Sequence, residues 1–176
     1  MSVPQPAVGR MVPLAGHPLV VAVEPDQPDL VVLTAAAWAA AAGVSLCCAF
    51  VDPGRYVVAE LADGSVVHRP VDPDGPDDRW LATRDLIAEH LSRVLDPLAV
   101  PWDLFYLAGR ADRALTHLAR AVDAAGYVVG TRAPGPGARV RQVLEGSVAA
   151  GLSHHQHRPV VVVPLEVVDW KTAHWH

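Results

Sequence analysis

The residues whose types and spacing could do chemistry lie between Gly126 and Pro164, which reads GYVVGTRAPGPGARVRQVLEGSVAAGLSHHQHRPVVVVP. An apolar run ends at Gly130, a Gly/Pro loop holding Gly135 and Gly137 follows, and Gly146-Ser147 opens a helical stretch. Backbone amides in a glycine loop and at a helix start converge on anions. Arg132, Arg139 and Arg141 surround the loop, and guanidinium forks pair with phosphate oxygens. Ser147 serves as a helix cap or as a donor to a phosphate oxygen. Pro134 and Pro136 oppose this, because each removes an amide donor. The chemistry expected is capture of an anion or nucleotide.

Other constellations fail on their own terms. Ser147 sits in Glu145-Gly146-Ser147-Val148-Ala149, which is no Gly-x-Ser-x-Gly elbow, so a hydrolytic triad is rejected. Gly135-Pro136-Gly137 lacks the third glycine of a dinucleotide fingerprint, and Lys171, the only lysine, is no Walker lysine. Efficient phosphoryl transfer has no support. No catalytic residue is assigned, and the chain is expected not to be an enzyme. His154 and His157 share a helix face, but no Cys or acidic cluster completes a metal site, and histidines also suit a helix C-terminus. No metal is expected beyond a nucleotide-associated Mg.

Those residues need a scaffold. With 176 residues, 51% hydrophobic, the chain is long enough for one domain with a sizeable core. A net charge of −5 argues against nucleic acid or an anionic membrane as the main partner. The Ala-rich run Ala35 to Ala42 is too short to span a bilayer, and no signal peptide is visible, so the cytoplasm is expected. Cys47 and Cys48 are adjacent in a strand pattern, point to opposite faces, and are read as free buried thiols.

In order, residues 1–18 carry four prolines and read as a loose arm. Leu19 to Val23 is a strand, followed by a turn at Glu24-Pro25-Asp26-Gln27-Pro28. A helix spans about 29–42, with Leu30, Leu33, Ala37, Trp38 and Ala41 as its inward stripe and Gly43 as its stop. Val44 to Val51 is the second strand. Tyr56 to Leu61 and Ser65 to Val71 flank Asp63-Gly64 and read as a β-hairpin with a tight type I′ turn. It leaves the carboxyl end of strand two, which predicts a place on the rim of the ligand crevice. A helix capped by Asp77 or Asp78 follows, with Trp80, Thr83, Ile87, Leu91 and Val94 inward. Trp102 to Leu107 is strand three, Arg110 to Ala125 a helix, Tyr127 to Val129 strand four, and Val160 to Val163 strand five.

The alternation predicts an α/β fold: a single-domain, doubly wound, parallel five-stranded sheet with an extra hairpin after strand two. In the order 3-2-1-4-5 the ligand crevice lies beyond strands one and four. That brings Glu24 to Asp26 beside Gly130 to Gly137.

On these residues the chain resembles the universal stress protein family across about 19–164. The resemblance is carried by VVAVE at strand one, Gly109 after strand three, YVVG with its Gly-rich loop, GSV, and HRPVVVVP. It implies the 3-2-1-4-5 sheet of the adenine nucleotide alpha hydrolase-like fold, a cytoplasmic homodimer and, in one branch, bound ATP. That branch carries Gly-x2-Gly-x9-Gly-Ser/Thr. Gly130 matches its first glycine and Gly146-Ser147 its last pair. Ala133 replaces the second glycine, and twelve residues separate it from Gly146, three more than the pattern. Gly135 and Gly137 stand in the inserted stretch. Alanine at φ > 0 costs about 1 kcal/mol, enough to reshape the loop without forbidding a ligand. The acidic residue that meets adenosine aligns with Glu24, and the strand-two position that bonds adenine through its backbone aligns with Phe50. The nucleotide-binding set is therefore Glu24, Phe50, Gly130, Arg132, Gly135, Gly137, Gly146 and Ser147.

A Val-rich strand five at the sheet edge invites pairing with a second copy, so a homodimer through Val160 to Val163 is expected, with 165–176 a tail. The function expected is stress-response signalling or protection, with a modified and weak crevice for ATP or another adenine nucleotide. The alternative is a nucleotide-free scaffold that engages an unknown protein partner through its dimer surface and the hairpin 56–71.

Overall fold

A computed structural model of the chain describes residues 7–74, 77–131 and 148–165. The strands are β1 (Leu19–Ala22), β2 (Leu46–Asp52), β3 (Arg55–Glu60), β4 (Val66–Pro70), β5 (Trp102–Ala108), β6 (Gly126–Gly130) and β7 (Val160–Val163). The helices are α1 (Leu30–Ala42), α2 (Arg79–Leu95), α3 (Ala111–Ala121) and α4 (Val148–His155). Apolar runs buried on both faces make parallel strands, and β5-β2-β1-β6-β7 is the sheet order, all pairs parallel. This is the expected 3-2-1-4-5 arrangement.

Each sheet face carries its own core. Val21, Leu46, Cys48 and Val128 pack against α1 and α2. Val20, Cys47, Leu107 and Tyr127 pack against α3 and Leu152 of α4. Cys47 and Cys48 thus enter opposite cores as free thiols. Burial pushes Cys47 up to about 11 and Cys48 up to about 12, so both stay protonated and inert.

Three expectations change. The inward stripe of α1 is Val31, Val32, Ala35, Ala36 and Ala39, whereas Leu30, Leu33, Ala37, Trp38 and Ala41 face outward. The helix, LVVLTAAAWAAAA, has no charged side chain, so its apolar pattern carries no phase. Adjacent valines and small alanines face the sheet instead. The hairpin turn is also wider than a two-residue I′ turn. Gly64 has φ +91°, while Asp63 is not among the residues with positive φ, and Leu61 N–H reaches Ser65 O across the loop. Asp63 Oδ1 accepts from both the Ser65 amide and hydroxyl, which closes the longer turn. Finally, α3 stops at Ala121, because Asp123 turns to φ +50° before β6 begins.

The hairpin's position is a further correction. Its base leaves β2 at the carboxyl rim, but its body packs against β5. Its tip, Gly64, meets Leu118 and Ala121 of α3, and His68 meets Trp80 of α2. The carboxyl half of β5, Tyr106 to Ala108, is buried, with Tyr106 and Leu107 in the two cores. The register of sheet and helices, invisible in a local hairpin signal, decides this.

Candidate functional site

The crevice is bounded by the ends of β1 and β6. The turn after β1 closes by Gln27 N–H to Glu24 O, and Glu24 is exposed. Gly130 ends β6 opposite Val163, and Thr131 continues the pairing through its amide to Val163 O. Thr131 Oγ1 accepts from Leu165 N–H at 2.8 Å. The two sides meet at Gly130. A Cβ there would lie 2.6 Å from Gln27 Nε2, 2.9 Å from Val31 Cγ2 and 3.0 Å from Leu165 Cδ1. A side chain here would have to displace the ends of Gln27, Val31 and Leu165, so close packing of turn, helix and strand favours glycine independently of any ligand. Gln27 Oε1 is buried without a hydrogen-bond partner at this spot.

Glu24 and Gly130 are thus brought to one place. Phe50 is not, at least through its backbone. Leu46 N–H bonds Pro101 O and Gly109 N–H bonds Asp52 O, so even-numbered residues of β2 face β5. Ser45 O and Ala49 O accept from Leu19 and Val23, so odd-numbered residues face β1. Phe50 accordingly sits in the β5 ladder, and its ring lies 5.2 Å from Tyr106. Val51 is the next residue on the β1 side, and β1 ends before reaching it. By the same alternation its amide and carbonyl point to the β1 side of the strand. The alternation of backbone direction depends on strand register, which an alignment of apolar runs does not reveal. Arg132, Gly135, Gly137, Gly146 and Ser147 lie outside the described residues, as do Ala133, Arg139 and Arg141. Among the described residues, no group of three metal-ligating side chains gathers, and no helix is long and apolar enough to cross a membrane.

A second polar assembly fixes the hairpin base beside β2. Arg55 is buried, donates from Nε to His68 Nδ1 at 2.6 Å, and from Nη2 to Asp77 Oδ1 at 2.5 Å. His68 packs edge-on against Trp80, and the Arg55 guanidinium lies over the same indole at 5.9 Å. The Tyr106 hydroxyl donates to Asp52 Oδ2 at 2.7 Å. Burial, then this carboxylate, pushes the phenol up, so it remains a neutral donor. Burial, then the Arg55 charge, holds His68 below its usual value, against the opposing pull of Asp52 and Asp77. His68 is therefore a neutral acceptor for Arg55. No motif announces this group, because its members come from β2, β3, β4, β5, the approach to α2 and α2 itself.

A doubly wound sheet places its topological switch point beyond the carboxyl ends of its central strands, where open α/β sheets take ligands. Its architecture is that of the universal stress proteins. A universal stress protein from Archaeoglobus fulgidus superposes with a TM-score of 0.59 at 20% identity, covering 83% of this chain and 97% of that one. The same organism's universal stress protein in complex with dAMP gives 0.57 at 19% identity, over 83% and 96% of the two chains. A universal stress protein in complex with cAMP gives 0.56 at 21% identity, over 85% and 98%. No family model and no curated protein matches the sequence.

Proposed function

We propose that this chain is a universal-stress-type protein that holds an adenine nucleotide, ATP or a relative, between the ends of β1 and β6, signalling its presence without turning it over. The observation that carries this reading is Val51. Its backbone offers one donor and one acceptor at a crevice edge, the pair that an adenine edge requires. Glu24 stands at the side where a ribose hydroxyl would lie. That two of the similar structures are dAMP and cAMP complexes supports the ligand class. Cytoplasmic residence and a nucleotide-borne Mg belong to the same proposal.

The test is extraction of nucleotide from purified protein, followed by calorimetric titration with ATP-Mg. Val51→Pro removes an amide that faces away from the β5 ladder, so folding should survive while affinity falls by about tenfold or more, the worth of one good hydrogen bond. Equal affinity of the variant and the parent would sink the Val51 assignment. A second reading, the nucleotide-free scaffold, is favoured by Gln27, whose amide fills the space above Gly130. It predicts no co-purified nucleotide and no thermal shift with ATP-Mg at millimolar concentration.

We further infer a homodimer through β7. Tyr127 N–H bonds Pro159 O and Thr131 N–H bonds Val163 O, so odd-numbered residues of β7 face β6. Val160 and Val162 therefore turn their backbone outward, and Val162 is 44% exposed. Val162→Pro deletes an edge donor and spares the β6 ladder. Light scattering should give a dimer for the parent at micromolar concentration and a monomer for the variant. A monomeric parent would end this proposal.

A further inference from the structure

We propose that the outer face of α3, walled by the end of β3, is a second ligand site that takes a short chain of phosphates. A concavity of about 460 Å³ lies there, beside the end of the hairpin's first strand. Arg110, Arg113 and Arg120 line it, together with Thr116 and His117 of the same helix. Its two carboxylates, Asp112 and Glu60, are both engaged. Arg110 binds Asp112 through Nε at 3.0 Å and Nη2 at 2.6 Å. His117 Nδ1 lies 3.3 Å from Glu60 Oε2. Arg113 and Arg120 have no carboxylate partner among the described residues, in a chain whose net charge is −5.

Three guanidinium groups against two carboxylates leave the concavity positive. Its lining contains no Phe, Tyr or Trp, so it offers no platform on which a base could stack. What it offers is donors, and the arginine fork fits phosphate oxygens two at a time. Arg113 and Arg120 are two helical turns apart, about 10 Å along the axis. A chain of two or three phosphates matches that spacing with less inward bending of the two side chains than a single phosphate demands. Thr116 spends its hydroxyl on Asp112 O and so adds no competing acceptor demand. The site does not depend on the crevice at β1 and β6.

Inorganic tripolyphosphate and the triphosphate tail of a nucleotide share this chemistry. The probe is tripolyphosphate, titrated calorimetrically at low salt into the full chain, into Arg113→Ala/Arg120→Ala, and into Val51→Pro. Binding by the parent and by Val51→Pro is expected, weakened about tenfold or more in the double variant and declining with added salt. Both arginines are exposed, so the double variant should keep the parent's Tm. Competition by ATP in the Val51→Pro background would assign the nucleotide tail as the source, and lack of competition would assign inorganic chains. No heat with about 1 mM tripolyphosphate, or equal binding by the double variant, overturns the proposal. Tighter binding of a single-stranded oligonucleotide through the same arginines would overturn it in favour of a nucleic-acid surface.

Discussion

Arg55→Ala should lower stability by about 2–3 kcal/mol and Tm by roughly 5–10 °C, read by thermal melting and by Trp fluorescence. Most of this does not come from the ion pair, since Asp77 is 68% exposed and water screens it. It comes from the buried stem, the hydrogen bond to His68, and the contact with Trp80. The same group makes stability depend on pH. His68 titrates near 6.5 when unfolded and lower when folded, so folding excludes a proton. Its contribution is complete above pH 6.5 and fades as pH falls through that value toward the folded one. His68→Gln, which keeps an acceptor but cannot titrate, should flatten the melting profile in that window. An unchanged profile would remove His68 as its source.

Gly64→Ala should cost about 2–4 kcal/mol, by two separable effects. Its φ of +91° strains any L side chain. Its new Cβ would sit 2.5 Å from Leu118 Cδ1, and Leu118 is fully buried. Gly16→Ala supplies the comparison, because φ is +83° there with nothing within 4 Å of the added carbon. That variant should lose only about 1 kcal/mol. If denaturant melts show the two losing equal stability, the hairpin tip is not seated on α3. Limited proteolysis between Glu60 and Val66 should report the same detachment.

The sheet was legible because five apolar runs, each closed by turn residues, admit few right-handed arrangements. Helix α2 was legible for a different reason, since Ile87 and Leu91 stand out against charged neighbours. Helix α1 was not, because a stretch of Ala, Val and Leu looks alike from every side. The hairpin's strands could be read from Asp63-Gly64 and its flanks, yet where they dock depends on Leu118 and Trp80, far away in sequence. At the crevice, Glu24 and Gly130 follow from chain order alone. Val51 does not, because which strand a backbone amide addresses is a property of register. Gly130 matches a phosphate-loop glycine in sequence, and its packing against Gln27, Val31 and Leu165 favours glycine there with or without a ligand.

The hairpin on β5 also bears on how many copies can join. A parallel sheet has two borders, and an exposed pair of borders lets copies add without end, as in fibres. Here the hairpin packs against β5 at one border, while β7 keeps the backbone of Val160 and Val162 turned outward at the other. If β7 pairs with a second copy as proposed, edge pairing would terminate at two subunits, and the hairpin would be the element that sets stoichiometry.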